Sequence, residues 1–217
     1  IFRSEVVKTY FIALVASSVM IAVSLRIADV YPTLLSSLRH SLFQVVSIST
    51  TAGFATADTN TWTPLAIMLL VFLSMVGACA GSTTGGLKFD RLILAAKSVK
   101  ARIVQQQHLN AIVRIKIDGV LQRTDTVGAV MTFIVFYVLL ILIGVFVNSL
   151  YGLDLMTGFT SAVSCVSNVG PAFGEVGSVL NYSSMPVMVK LTDTLLMLLG
   201  GLEIFGLIQI FLIKWWV

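Results

Sequence analysis

Four stretches of this chain are apolar over the length needed to cross a bilayer, and they leave it little choice of fold. They run from Val6 to Leu25, Trp62 to Ala80, Val127 to Val147 and Val187 to Ile213. Each is near or above the roughly 20 residues that a helix needs to cross about 30 Å of hydrocarbon. Composition agrees: 57% of residues are hydrophobic, 11% are charged and mean hydropathy is +0.98. Such a chain is an integral membrane protein. Its irregular segments can lie at membrane depth only where protein buries them or where they line water.

The net charge of +4 follows membrane topology rather than a polyanionic partner. Arg3 and Lys8 lie at the start of the first span, Lys214 follows the last, and Lys88, Arg91, Lys97, Lys100, Arg102, Arg114, Lys116 and Arg123 fill the middle. Arg26, Arg39 and Lys190 on the other side are balanced by Asp29, Asp58, Asp154 and Glu175. The excess of basic residues puts both termini and the 98–123 linker in the cytoplasm, and no nucleic-acid partner is expected. Cys79 and Cys165 fall far apart in membrane-embedded stretches and read as small buried hydrophobes, not as a disulfide or metal site. The opening residues carry no signal-peptide pattern. With no initial methionine, the chain is expected to be a piece of something longer.

Between the first two spans, Leu34 to Ile48 reads as an amphipathic helix too short to cross the membrane, and it leads into the polar run "SISTTAGFATAD". The same order returns after the linker: a span, a short helix from about Leu155, the polar run "SNVGPAFGEVG", and another span. Matching Gly53 with Gly170 pairs Ser47 with Ser164, Thr50 with Ser167, Thr51 with Asn168, Ala55 with Ala172 and Asp58 with Glu175. This is an ordered internal repeat of the kind found in transporters. It divides the chain into a first repeat over 1–97, a linker over 98–123 and a second repeat over 124–217. The linker reads as a solvated helix pair or hairpin, serving either as filler or as a docking surface.

A short helix that enters, stops and returns as loop leaves carbonyls without helical partners. Its C-terminal end also presents the negative end of the helix dipole. Small residues, a glycine and no charge within the loop suit backbone carbonyls that replace a cation's hydration shell. "STTAGFA" and "VSNVGPA" meet those requirements.

Thr51-Ala52-Gly53-Phe54 looks like a degenerate potassium-channel signature, and Asn168-Val169-Gly170-Pro171 like a second. Paired with "GACAGSTTGGLKFDR" at 77–91 and "LLGGLEIFG" near the end, they resemble the Trk/Ktr/HKT superfamily of potassium transporters, most closely the bacterial TrkH type. The resemblance covers essentially the whole chain, as the third and fourth of that family's four repeats. It implies an all-α polytopic membrane fold with two repeats of span, re-entrant pore helix and filter loop, and span. It further implies potassium as the conducted ion, with the backbone carbonyls of the two tetrapeptides as ligands and no organic cofactor. The partners it implies are the remaining two pore repeats, a second copy in a homodimer, a cytoplasmic nucleotide-binding regulatory subunit and the lipid of a bacterial inner membrane.

Within the second span, Ala78, Cys79, Ala80, Gly81, Ser82, Thr83, Thr84, Gly85 and Gly86 weaken a helix and predict a break. A phosphate-binding loop is excluded, because "GSTTGGLK" lacks the Gly-Lys-Ser/Thr ending and follows no strand. The stretch is either a close-packing interface or, as the resemblance implies, a gate beneath the filter. The family usually carries arginine where this chain has Gly201, in "GGLE". Its absence removes a fixed cation from the pore, and Glu203 beside it is an intramembrane acid that supports either the pore or the gate. Asp58 and Glu175 read as acids that gather cations at the outer mouth or as solvated loop residues. His40 and His108 have no metal-ligand company. Two readings rival the pore: a non-conducting assembly subunit and an intramembrane enzyme. The second lacks a His or paired carboxylates near the loops.

Overall fold

The computed structural model describes residues 4–108 and 113–202. The described residues form seven α-helices: α1 (Glu5–Ile27), α2 (Leu34–Ser49), α3 (Pro64–Met75), α4 (Phe89–Gln107), α5 (Thr124–Leu150), α6 (Leu155–Ser167) and α7 (Val187–Gly201). Their starts follow local chemistry. Ser4, Thr33, Thr63 and Asp154 each turn a side-chain oxygen onto an N–H of the first turn, and Pro64 opens α3, where its missing N–H is harmless.

Among the described residues, α1 and α5 are long and apolar enough to cross a membrane. Both leave large apolar side chains outside, among them Phe11, Ile12 and Val19 on α1 and Leu142, Ile143 and Phe146 on α5. In water, a surface of that extent would drive association; in lipid it is simply solvated. The short helices α2 and α6 turn back without crossing, so the chain folds as two repeats of span, re-entrant helix, loop and span.

Each repeat has its own core. Ile21, Leu25, Val45, Ala66 and Leu70 fill the first, and Tyr137, Ile141, Ala162, Val163, Val166 and Leu196 fill the second. Val169 and Phe173 of the second repeat insert into the first core, which locks the two together.

The re-entrant helix α6 is packed backbone to backbone. A Cβ on Gly200 would sit 1.7 Å from the carbonyl oxygen of Val166, and one on Gly144 would lie 2.9 Å from the Cβ of Ala162. Gly200→Ala is therefore expected to force α7 away from α6. Overpacking against rigid backbone should destabilise the protein by about 3 kcal/mol or more, read as a lowered thermal midpoint in detergent. An unchanged midpoint would contradict the close approach.

The expected break in the second span is present and wider than a kink. α3 ends at Met75, and Val76–Gly77 pairs in parallel with Leu87–Lys88 (strands β1 and β2) before α4 begins. Gly77 makes this pairing feasible, since a Cβ there would meet the Gly85 carbonyl oxygen at 2.5 Å.

α4 continues through the 97/98 position to Gln107, and a hairpin of β3 (Lys116–Ile117) and β4 (Val120–Leu121) follows. Of the described residues in 98–123, 98–107 continue α4 and 116–121 form the hairpin. Asp118 and Gly119 both take positive φ at its turn, 51° and 79°, as a two-residue hairpin turn of the primed type requires.

Asp118 fastens the hairpin to the start of α1. Its carboxylate accepts from the Ser4 hydroxyl at 2.6 Å and from the Glu5 N–H at 2.5 Å, while Lys97 Nζ donates to Glu5 Oε2 at 2.7 Å and to the Lys116 carbonyl at 2.9 Å. The Ser4 hydroxyl first, then the Glu5 amide, holds the Asp118 carboxyl below its ordinary range. A depressed carboxyl stabilises the fold above its unfolded value, and that contribution is lost as pH falls through the folded one. The clasp should hold unchanged down to about pH 4, near the ordinary aspartate value, and release below it. Hydrogen exchange of the hairpin amides at neutral pH should be faster in Asp118→Asn, and equal exchange would discount the clasp.

Candidate functional site

The two polar loops share three equivalent hydrogen bonds and differ at the glycine, where Gly53 N–H donates to Ser47 O at 3.4 Å and Gly170 N–H to Ser164 Oγ at 3.1 Å. In the first, Thr51 N–H donates to Ile48 O at 3.0 Å, Ala52 N–H to Ser47 O at 2.9 Å and Ser47 Oγ to Phe54 O at 2.6 Å. In the second, Asn168 N–H donates to Cys165 O at 3.1 Å, Val169 N–H to Ser164 O at 3.0 Å and Ser164 Oγ to Pro171 O at 2.8 Å. Every partner keeps the register that matches Gly53 with Gly170. Backbone conformation repeats too: φ is 54° at Thr51 and 74° at Gly53, against 56° at Asn168 and 104° at Gly170, while Ala52 and Val169 keep ordinary φ. Alternating hand along a short strand turns successive carbonyls toward one side instead of opposite sides. That is the requirement for a row of oxygen ligands.

The loops also meet each other. A Cβ on Gly53 would lie 2.4 Å from the carbonyl oxygen of Val169. Glycine is thus required there twice, for its positive φ and for the room. The carbonyls of Phe54 and Pro171 already accept serine hydroxyls, and Gly170 O accepts from the Tyr182 hydroxyl at 3.2 Å. Those of Thr51, Ala52, Gly53, Asn168 and Val169 take no hydrogen bond from the described residues. The C-terminal ends of α2 and α6 point at these loops, adding negative potential at the same place.

Below the second loop lies the broken span. A Cβ on Gly85 would meet the Ser167 carbonyl at 2.5 Å, and one on Gly86 would meet Ser167 Oγ at 3.1 Å. Ser82 Oγ donates to Cys79 O at 2.7 Å and shares a hydrogen bond with Thr84 Oγ1, while the tip from Ala80 to Thr83 is largely open. Ala78 to Gly86 therefore form a loop whose return leg is pressed against the end of α6.

Gly201 also faces this place. A Cβ there would be 3.4 Å from Asn168 Nδ2, an ordinary contact, and that amide donates to Met197 O at 3.1 Å. Glu203 lies outside the described residues. Asp58 accepts from the Asn60 N–H at 3.0 Å and so caps a short turn, and Glu175 is exposed. His40 stacks on Tyr31 at 4.7 Å. Among the described residues no cluster of His, Cys, Asp or Glu is arranged to hold a metal, and both cysteines are free thiols.

Sequence reading missed two features of the site. Asn60 joins the outer ends of the repeats: its Nδ2 donates to Gly174 O at 2.9 Å and its Oδ1 accepts from Gly174 N–H at 3.0 Å. Nothing around Asn60 in the sequence marks it. The second is a pair of buried tyrosines, one on the first span of each repeat. Tyr10 shares a hydrogen bond with Ser49 at 2.9 Å and Tyr137 with Ser167 at 2.8 Å, each at the end of its own re-entrant helix. Each tyrosine stands in an apolar span with its partner 39 or 30 residues away, so no local signal marks it.

Comparison with known proteins gives a consistent picture. The family model for TrkH, described as a cation transport protein, matches residues 3–215. The Trk system potassium uptake protein TrkH of Halomonas elongata is 37% identical over 201 residues, covering 91% of this chain and 40% of its own length. The protein of the same name from Escherichia coli K12 is 34% identical over 188 residues, covering 87% and 38%. The crystal structure of the potassium transporter TrkH from Vibrio parahaemolyticus superposes with a TM-score of 0.89 at 28% identity, over 100% of this chain and 46% of that one. The chain thus spans about two-fifths of the length of these curated relatives.

Proposed function

Since the chain belongs to the TrkH family of cation transport proteins, we propose that it supplies two of the four quarters of a potassium-conducting pore. The ion passes down its electrochemical gradient through backbone carbonyls at Thr51–Phe54 and Asn168–Pro171. The observation that carries this reading is the repeat of three hydrogen bonds and of the φ pattern in the two loops, with glycine of one set against a carbonyl of the other. Two further repeats of the same design complete the ring. That relatives are named as potassium uptake proteins supports potassium as the ion.

The loop from Ala78 to Gly86 acts as the gate. It lies against the inner end of α6, carries three glycines and two threonines, and interrupts what would otherwise be a continuous span. The protein resides in a bacterial inner membrane, with the α4–hairpin end, where the basic residues gather, in the cytoplasm. It works there as a homodimer under a cytoplasmic nucleotide-binding regulatory subunit.

The test is uptake of radioactive rubidium by the four-repeat protein reconstituted in liposomes. Uptake that potassium suppresses and sodium does not supports the pore. A protein that passes neither ion in any regulator state would be an assembly subunit, and the proposal would be wrong.

A further inference from the structure

The Tyr137 hydroxyl lies where the gate loop, the broken span and the end of α6 meet. It donates to the carbonyl oxygen of Met75 at 3.1 Å and is 2.8 Å from Ser167 Oγ. With its one proton given to Met75, it accepts the proton of Ser167. Met75 is the last residue of α3, so its carbonyl is one of those that the helix break leaves without a helical partner. Ser167 is the last residue of α6, directly before the left-handed Asn168 that opens the second loop. Gly86, at φ 73°, fits between them: a Cβ there would lie 3.1 Å from Ser167 Oγ and 3.3 Å from Met75 O. Tyr137 itself is 2% exposed, so no water competes for its hydroxyl.

We propose that Tyr137 is the latch of the gate loop: its hydroxyl ties the root of the loop at Met75 to the base of the carbonyl row at Ser167, and both hydrogen bonds hold only in the closed arrangement. This rests on the reading of Ala78–Gly86 as a gate. The physical reason is that the loop cannot swing out without moving the chain at Met75 or at Gly86. Either movement breaks the bond from the Tyr137 hydroxyl to Met75 O. Opening therefore costs a buried hydrogen bond that joins α5 to the root of the loop, and the closed population is favoured accordingly. Tyr137 touches neither the ion nor the carbonyls proposed to bind it. It is a positioning residue.

The experiment uses the four-repeat protein in liposomes, without activating regulator, and reads two quantities. Loss of one buried hydrogen bond of ordinary strength should shift the closed–open balance about fivefold. Tyr137→Phe should therefore raise rubidium flux by that factor. In a background where Cys79 is the sole cysteine, it should also speed reaction of Cys79 with a charged methanethiosulfonate reagent to the same degree. Deleting Ala78–Thr84 should raise flux on its own, and adding Tyr137→Phe to the deletion should raise it no further, because the latch has nothing left to hold. If Tyr137→Phe does not accumulate in the membrane, Ser167→Ala removes the other half of the relay and carries the same expectations. If the deletion raises flux but Tyr137→Phe changes neither flux nor Cys79 reactivity, the latch is refuted and the gate stands. If the deletion leaves flux unchanged, the gate reading falls and the latch falls with it.

Discussion

Gly53→Ala should abolish potassium selectivity while leaving the protein in the membrane. The new Cβ would sit 2.4 Å from the Val169 carbonyl oxygen, and the residue would have to hold φ at 74°. The left-handed conformation alone is worth about 1–2 kcal/mol against an L-residue. The contact adds to this, because its partner is backbone that cannot rotate away. Relief comes only by moving Val169 or flattening the Thr51–Phe54 loop, and either one misaligns carbonyls that the proposed function needs in register. Thr51–Phe54 contributes no residue to the buried clusters, so flattening that loop should leave the spans packed. The expected result is a fall of tenfold or more in the ratio of rubidium to sodium flux, with near-normal abundance and a folded protein by gel filtration. Wild-type selectivity in a well-folded variant would mean that the ion does not pass between Gly53 and Val169.

Much of this arrangement was legible in the residues because membrane physics leaves few options. Span length is set by bilayer thickness, and a helix too short to cross must turn back. The pairing of Gly53 with Gly170 came from two short polar runs, and hydrogen bonds at Ser47 and Ser164 keep the same register. The glycine run at 77–86 announced a break. Its extent was not legible, because Val76 is apolar and reads as span, and the two-residue pairing with Leu87–Lys88 is decided by contacts rather than by propensity.

The hairpin at 116–121 was only half legible. Asp118-Gly119 between apolar pairs is a strong turn signal, but the polar, basic surroundings blur the alternation that marks a strand. Asn60, Tyr137 and Gly200 were out of reach for a common reason. Each acts through a residue distant in sequence: Gly174, Met75 and Val166 respectively. A single sequence holds no record of such pairings.

Gly201→Arg should suppress conduction, and the neighbouring glycines explain why this position can be tested at all. At Gly200 a side chain would strike the Val166 carbonyl at 1.7 Å, so any substitution there tests folding. At Gly201 the nearest atom to a new Cβ is Asn168 Nδ2 at 3.4 Å, and the residue is exposed, so a long side chain has room. Asn168 opens the second carbonyl loop, so a guanidinium carried on Gly201 would lie below the row of ligands in the path proposed for the ion. Two unit charges roughly 6 Å apart at an effective dielectric constant of about 20 repel by about 3 kcal/mol. That corresponds to about a hundredfold lower occupancy of the innermost ion position. Flux should fall by a comparable factor at low ionic strength and recover partly as salt screens the charge. Gly201→Gln, which fills similar space without charge, should retain most of the flux. If glutamine blocks as fully as arginine, the effect is steric and the charge argument fails. If arginine changes nothing, Gly201 does not face the conduction path.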